Sequence, residues 1–126
     1  MTKVVDSDVL IGILRGVGDA RDAVNGARGR GERVMSVTPV RVEVLRGMRR
    51  GEEAVTHGLL DRLEWIAVDI DLADRAGELG RIYRQSHAGI EITDLLLAAA
   101  VERFGGELLT RNVRHYPMFP GLQPAF

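Results

Sequence analysis

Three acidic residues stand where a folded α/β chain could gather them: Asp6 after Val4 and Val5, Glu43 inside a Pro-initiated helix, and Asp94 opening an apolar one. Each lies beside an expected strand end or helix start, and open α/β sheets bind ligands outside the carboxyl ends of their strands. Converging carboxylates repel one another and raise each other's pKa unless a cation neutralises them. Cysteine is absent, leaving oxygen ligands and the histidines. An oxygen set selects magnesium, or manganese, over zinc or copper. Such an ion lowers the pKa of a bound water and clamps phosphoryl oxygens, so the trio implies phosphodiester hydrolysis.

Each acid also has a plainer explanation. Asp8 suits a helix start, where a carboxylate caps free N–H groups and meets the macrodipole. Asp6 follows a strand, where capping does not require it and a buried carboxylate is costly unless paired or metal-bound. Glu43 alone is an ordinary helical glutamate. Its interest is its position, one turn after Pro39, on the margin of a stripe formed by Val40, Val44, Leu45 and Met48. Asp94 alone is a first-turn acid, but the helix behind it is wholly apolar, so its carboxylate faces a crevice near the sheet rather than open solvent. The run Val5-Asp6-Ser7-Asp8-Val9 also resembles the first motif of aspartyl-phosphate phosphatases, with Asp6 as nucleophile and Asp8 as general acid. That alternative needs a later lysine, and the only lysine, Lys3, precedes the motif.

The positioning elements follow from periodicity. Residues 3–6 read as a buried strand, 8–15 as a helix capped by Ser7 or Asp8, 19–27 as a second helix and 33–37 as the next strand. Thr38 as N-cap and Pro39 as the first helical residue start a helix over 39–49. Residues 52–63 read as helix and 65–68 as strand. Leu72, Ala76, Leu79 and Tyr83 give core spacing to a helix that begins at Asp71 and ends before the 86–89 loop. Thr93 caps a helix over 94–104, apolar all round and hence buried on every side. Residues 107–110 are a strand, and 122–126 form a weak edge strand interrupted by Pro124. Strands alternating with helices predict a three-layer α/β/α sandwich around a mostly parallel sheet.

Length fits one domain over residues 1–126. No stretch approaches the ~18 uncharged residues of a membrane span, so a soluble cytoplasmic protein is expected. Formal net charge is −1, which argues against strong non-specific nucleic-acid binding. Positive charge is carried almost wholly by arginine. Coding bias explains that usage, while Arg28, Arg30, Arg33, Arg41, Arg46, Arg49 and Arg50 also offer planar forks for phosphate.

Four segments together resemble the PIN-domain ribonucleases, and within them the VapC-type toxins of toxin–antitoxin pairs. Val4-Val5-Asp6-Ser7-Asp8-Val9-Leu10-Ile11 is similar to the opening strand with the first acid. Val40-Arg41-Val42-Glu43-Val44-Leu45-Arg46-Gly47 resembles the helix with the second, and Ile92-Thr93-Asp94-Leu95-Leu96-Leu97-Ala98-Ala99-Ala100 the third. Leu108-Leu109-Thr110-Arg111-Asn112-Val113-Arg114-His115-Tyr116 resembles the closing segment. The resemblance covers nearly the whole chain. It implies a parallel sheet between helices, divalent-metal RNA cleavage at Asp6, Glu43 and Asp94, a homodimer, and a small antitoxin whose tail enters the site.

Many members of that family carry a fourth acid at the position of Asn112 or near His115, and this chain has neither. Thr110 and Asn112 are expected to position a metal-bound water without adding charge. One metal then binds tightly and a second arrives with the substrate phosphate. His115 is a candidate general acid. The missing acid also leaves open a binding module on the same fold that has lost catalysis.

Overall fold

The computed structural model describes residues 1–126. Four strands form one sheet in the order β3-β2-β1-β4: β1 (Thr2–Val5), β2 (Arg33–Val37), β3 (Glu64–Ile66) and β4 (Glu107–Leu109). All three pairings are parallel, with Val4 opposite Met35 and Leu108. Strands buried on both faces read as continuous apolar runs. Accordingly Val4, Val5, Val34, Met35 and Val37 are buried. The one buried polar residue of β2, Ser36, is satisfied by its hydroxyl, which donates to Val5 O at 2.6 Å.

Six helices flank the sheet as an α/β/α sandwich: α1 (Ser7–Leu14), α2 (Gly18–Gly29), α3 (Thr38–Arg46), α4 (Glu53–Leu60), α5 (Ile70–Tyr83) and α6 (Ile92–Phe104). Helix α6 lies against β1, β2 and β4 and packs on α5, while α2 and α3 lie against β2. Leu96 to Val101 of α6 are all buried, as an apolar helix surrounded by neighbours must be. Gly105 then ends the helix in the left-handed region at φ 65°, where a side chain would be strained. At Gly106 a Cβ would stand 2.7 Å from Thr2 O, so the chain can enter β4 this close to β1 only without a side chain.

Because the strands are parallel, their carboxyl ends share one edge of the sheet. From β1 the chain builds outward through β2 and β3, then returns to place β4 on the other side of β1. The switch in direction lies between β1 and β4, where a crevice opens beyond the strand ends. Asp6 and Thr110 are the residues that immediately follow those two strands.

Several element boundaries differ from those expected. Helix α3 stops at Arg46 rather than 49, α4 at Leu60 rather than 63, and β3 occupies 64–66 rather than 65–68. Residues 122–126 form no strand. Pro124 has no N–H to offer, and the segment bonds back to the closing loop through Ala125 N, which donates to Thr110 O at 2.8 Å. It still covers apolar surface, with Leu122, Ala125 and Phe126 packed on the core.

Candidate active site

Asp6 sits at the end of β1 as the N-cap of α1, with extended backbone (φ −78°, ψ 159°) and its Oδ1 accepting from Ser7 N at 2.7 Å. This corrects the assignment of the cap to Ser7 or Asp8, which are the first two helical residues. Capping does not exhaust the Asp6 carboxylate. Its Oδ2 accepts from Thr110 Oγ1 at 2.9 Å and from the Tyr116 hydroxyl at 2.7 Å, with the residue only 6% exposed.

Asp94 comes to the same place from α6. The N-cap there is Glu91, not Thr93, and Asp94 at the third helical position accepts from Glu91 N at 2.9 Å through Oδ2. That bond fixes the side chain within the first turn and points it back toward the sheet edge. Its Oδ2 also lies 3.0 Å from His115 Nδ1, and its Oδ1 lies 3.2 Å from the Tyr116 hydroxyl. Burial raises the Asp94 carboxyl above its usual range; the Asp6 charge adds to the rise, while Glu91 N–H, His115 and Tyr116 oppose it.

Glu43, in the middle of α3, completes the group. Burial first, then the charge of Asp6, raise its carboxyl, with Asp94 and Glu91 adding and the Ser7 side chain opposing. Its Oε1 is buried and has no hydrogen-bond partner. Asp8 shows the same incompleteness. Its Oδ2 accepts from Arg111 N at 2.8 Å, its Oδ1 is buried without a partner, and burial followed by the Asp6 charge raises its carboxyl. Buried acceptors with no donor are rare because each forfeits its hydration. Each of these two acids feels the charge of Asp6, and an all-oxygen donor set of this kind would suit a hard cation. As they stand, the side chains do not close into a group of three ready ligands. Asp6 and Asp94 both face the Tyr116 hydroxyl instead.

The closing segment divides its candidates. Thr110 is buried and bonded to Asp6, and its Oγ1 accepts from Asn112 N at 3.1 Å. Asn112 therefore reaches the cluster through its backbone, while its side chain is exposed. His115 reaches Asp94 directly. Tyr116, which sequence reasoning passed over, is buried in the site at 1% exposure, and burial with the charges of Asp6 and Asp94 pushes its hydroxyl well above the ordinary phenol value. Only its place beside His115 in the closing run could have drawn attention to it. His57 lies in α4 and His87 bonds to Ser86, away from this cluster.

The PIN domain profile matches residues 3–117. The chain belongs to the PIN-domain family. Ribonuclease VapC19 of Mycobacterium tuberculosis is 38% identical, covering 98% of this chain and 99% of that protein. Ribonuclease VapC10 of the same organism is 42% identical, covering 98% and 92%. Among solved structures, a toxin–antitoxin complex from Klebsiella pneumoniae matches this PIN domain with a TM-score of 0.83 at 22% identity, covering 98% of each chain. VapBC2 from Rickettsia felis, bound to a DNA fragment from their promoter, matches with a TM-score of 0.75 at 20% identity, covering 97% and 96%. At such identities these structures speak for the fold.

PIN membership overturns the aspartyl-phosphate phosphatase alternative. The side chains agree. Lys3, the only lysine available for that chemistry, is engaged by Glu107 across the β1–β4 pair. The arginines named from sequence are partly committed as well, since Arg30, Arg33 and Arg41 pair with Glu32, Glu64 and Asp61 in this PIN domain.

Proposed function

We propose that this PIN domain is the ribonuclease toxin of a toxin–antitoxin pair, and that it cleaves RNA phosphodiesters with a magnesium ion, manganese substituting. The observation that carries the reading is the buried, unpartnered Glu43 Oε1 beside Asp6 and Asp94, an arrangement that a hard cation completes. Two relatives named as ribonucleases, each matched over nearly its full length, support the same chemistry.

Asp6 and Asp94 would hold the ion directly, and Glu43 directly or through water. When bound, the ion supplies a water of lowered pKa and a clamp for phosphoryl oxygens. Thr110 and the Ser7 N–H fix the rotation of Asp6, Glu91 N–H fixes Asp94, and the unpartnered oxygen of Asp8 would be available to the ion's waters. His115 stands beside Asp94 as the candidate acid for the leaving oxygen. A small cognate antitoxin and a homodimer complete the reading, with residues 1–126 as one domain acting in the cytoplasm. No helix is long and apolar enough to cross a membrane.

The decisive experiment follows magnesium-dependent cutting of a structured RNA by purified protein. Asp6→Ala, Glu43→Ala and Asp94→Ala should each reduce it to background and relieve growth inhibition, while Asp8→Ala should be milder. A second reading, an inactive RNA- or protein-binding module, draws on the histidine that stands near the fourth acid's place. RNA that is bound but never cut by the parent at saturating magnesium or manganese would favour that module. Cutting by Asp6→Ala at the parent's rate would remove the metal site altogether.

A further inference from the structure

The Tyr116 hydroxyl lies 2.7 Å from Asp6 Oδ2 and 3.2 Å from Asp94 Oδ1. A phenol has one proton to donate. It serves one carboxylate at a time, and the shorter contact marks Asp6. Asp94 Oδ1, at the longer distance, is the weaker of its two acceptors. Both partners are candidate ligands, and the ring is locked in place, stacked on Phe119 with centroids 6.4 Å apart and planes 19° apart. A rigid, buried donor wedged between two like charges does electrostatically, though weakly, what a cation does there: it puts a positive end in the gap.

We propose that the Tyr116 hydroxyl is an internal stand-in for the cation, filling the gap between Asp6 and Asp94 in the metal-free protein and yielding Asp94 when a divalent ion takes that place. Tyr116 is thus a positioning residue, and the inference rests on the metal-site reading above. The hydroxyl keeps the two acids from splaying apart, so the site is already assembled when the ion arrives. Its hold on Asp94 opposes metal binding slightly, because that contact has to be given up. The hydroxyl therefore stabilises the metal-free fold and weakens metal affinity.

Tyr116→Phe removes only the hydroxyl and retains the ring against Phe119. In chelator the variant should melt below the parent, since the two carboxylates lose their shared neighbour. Magnesium should narrow or close that difference. The magnesium concentration giving half of the full melting shift should fall severalfold, and the requirement for half-maximal RNA cleavage should fall in parallel. A melting deficit that is equal with and without magnesium, with an unchanged midpoint, would make the hydroxyl merely structural and overturn the proposal. A higher midpoint would place Tyr116 among the supports of the loaded ion, and overturns it too. A parent whose melting ignores magnesium would remove the metal-site reading itself, and the stand-in with it.

A second measurement needs no variant. The chain has two tyrosines. With ring-labelled tyrosine in the parent protein, saturating magnesium should move the Tyr116 resonance and leave that of Tyr83, at the end of α5, in place. A Tyr116 signal unmoved by bound magnesium overturns the proposal even if Tyr116→Phe fails to fold.

Discussion

His115 Nδ1 approaches Asp94 Oδ2 to 3.0 Å, the same carboxylate oxygen that accepts from Glu91 N–H. This contact distinguishes the two positions at which the family resemblance leaves a fourth acid missing. His115 touches the acidic cluster with its side chain, whereas Asn112 touches it with its backbone and leaves its amide exposed.

A carboxylate added at His115 should therefore act on the metal, and one added at Asn112 should not. His115→Asp places a fourth acid against Asp94 in a partly desolvated crevice where attraction for a cation is weakly screened. It should lower the magnesium needed for half-maximal cleavage severalfold. Asn112→Asp should leave that requirement within about twofold of the parent, since an exposed charge is screened by water and salt. Magnesium titrations of the three proteins side by side decide the matter. A larger shift for Asn112→Asp would mean that its side chain turns inward when metal and RNA are present.

Removing charge from the site should strengthen the empty protein. Glu43 has a buried oxygen without a donor, and neutralising such a group relieves a penalty of roughly 1 kcal/mol. In chelator, Glu43→Gln and Asp94→Asn should melt no lower than the parent, with Glu43→Gln slightly higher. Saturating magnesium should then reverse the order. A ligand that binds only the folded state stabilises it by mass action, and the parent binds more tightly. Equal magnesium shifts in parent and variants would argue against a carboxylate metal site.

The three acids were legible in the sequence because each follows a pattern with its own physical reason: an apolar strand run before Asp6, Pro39 one turn before Glu43, and an unbroken apolar helix behind Asp94. The parallel sheet was legible for a related reason, since Val4-Val5 and Val34-Met35 are buried on both faces and need no alternation. The caps were less readable. Asp6, Ser7 and Asp8 are all good N-cap types, and which one takes the role depends on where β1 stops hydrogen-bonding, a property of its neighbours. At α6 the cap is Glu91, an uncommon type for the place, so the serviceable Thr93 drew the boundary two residues late. Tyr116 carried no local signal. Its role exists only because the closing loop folds back across a hundred residues of chain to reach Asp6. The 122–126 segment looked like a strand by composition, but a strand needs ladder bonds, and its N–H donation goes to Thr110 O beyond the end of β4.

The same acids set a pH dependence that can be worked out in sign. Asp8, Glu43 and Asp94 have carboxyls raised above their ordinary values of 3.8, 4.5 and 3.8. The folded, metal-free protein thus holds those protons more firmly than the unfolded chain. Their contribution to stability is complete below the ordinary carboxylate values and is lost as pH rises through the raised ones. Asp69, held down to about 2 chiefly by Arg103, works oppositely and only below the ordinary value, where acid removes its contribution. Melting temperature in chelator should therefore peak in the weakly acidic range and decline toward neutrality. Magnesium should flatten the decline, and Glu43→Gln should reduce it without metal. A chelated protein whose melting rises steadily from pH 4.5 to 7.5 would contradict the raised carboxyls.

Thr110 offers a contrast with Tyr116 on the same oxygen. Both hydroxyls donate to Asp6 Oδ2, at 2.9 and 2.7 Å, but Thr110 has no second carboxylate at comparable distance, its approach to Asp8 Oδ2 being 3.5 Å. It orients Asp6 without occupying the gap toward Asp94, so losing it should harm metal binding rather than help it. Partners that orient a ligand typically support metal affinity or activity by about 10- to 100-fold. Thr110→Val keeps the shape of the side chain and removes the donor together with the acceptor used by Asn112 N. It should raise the magnesium requirement and lower the cleavage rate at subsaturating metal by about 10-fold or more. Thr110→Ser, which restores the hydroxyl, should recover most of both. Magnesium requirements moving in opposite directions for Thr110→Val and Tyr116→Phe would separate a hydroxyl that aims Asp6 from one that stands in for the ion. A fall in the requirement for Thr110→Val would mean that both hydroxyls compete with the cation and that Asp6 is oriented by the Ser7 N–H alone.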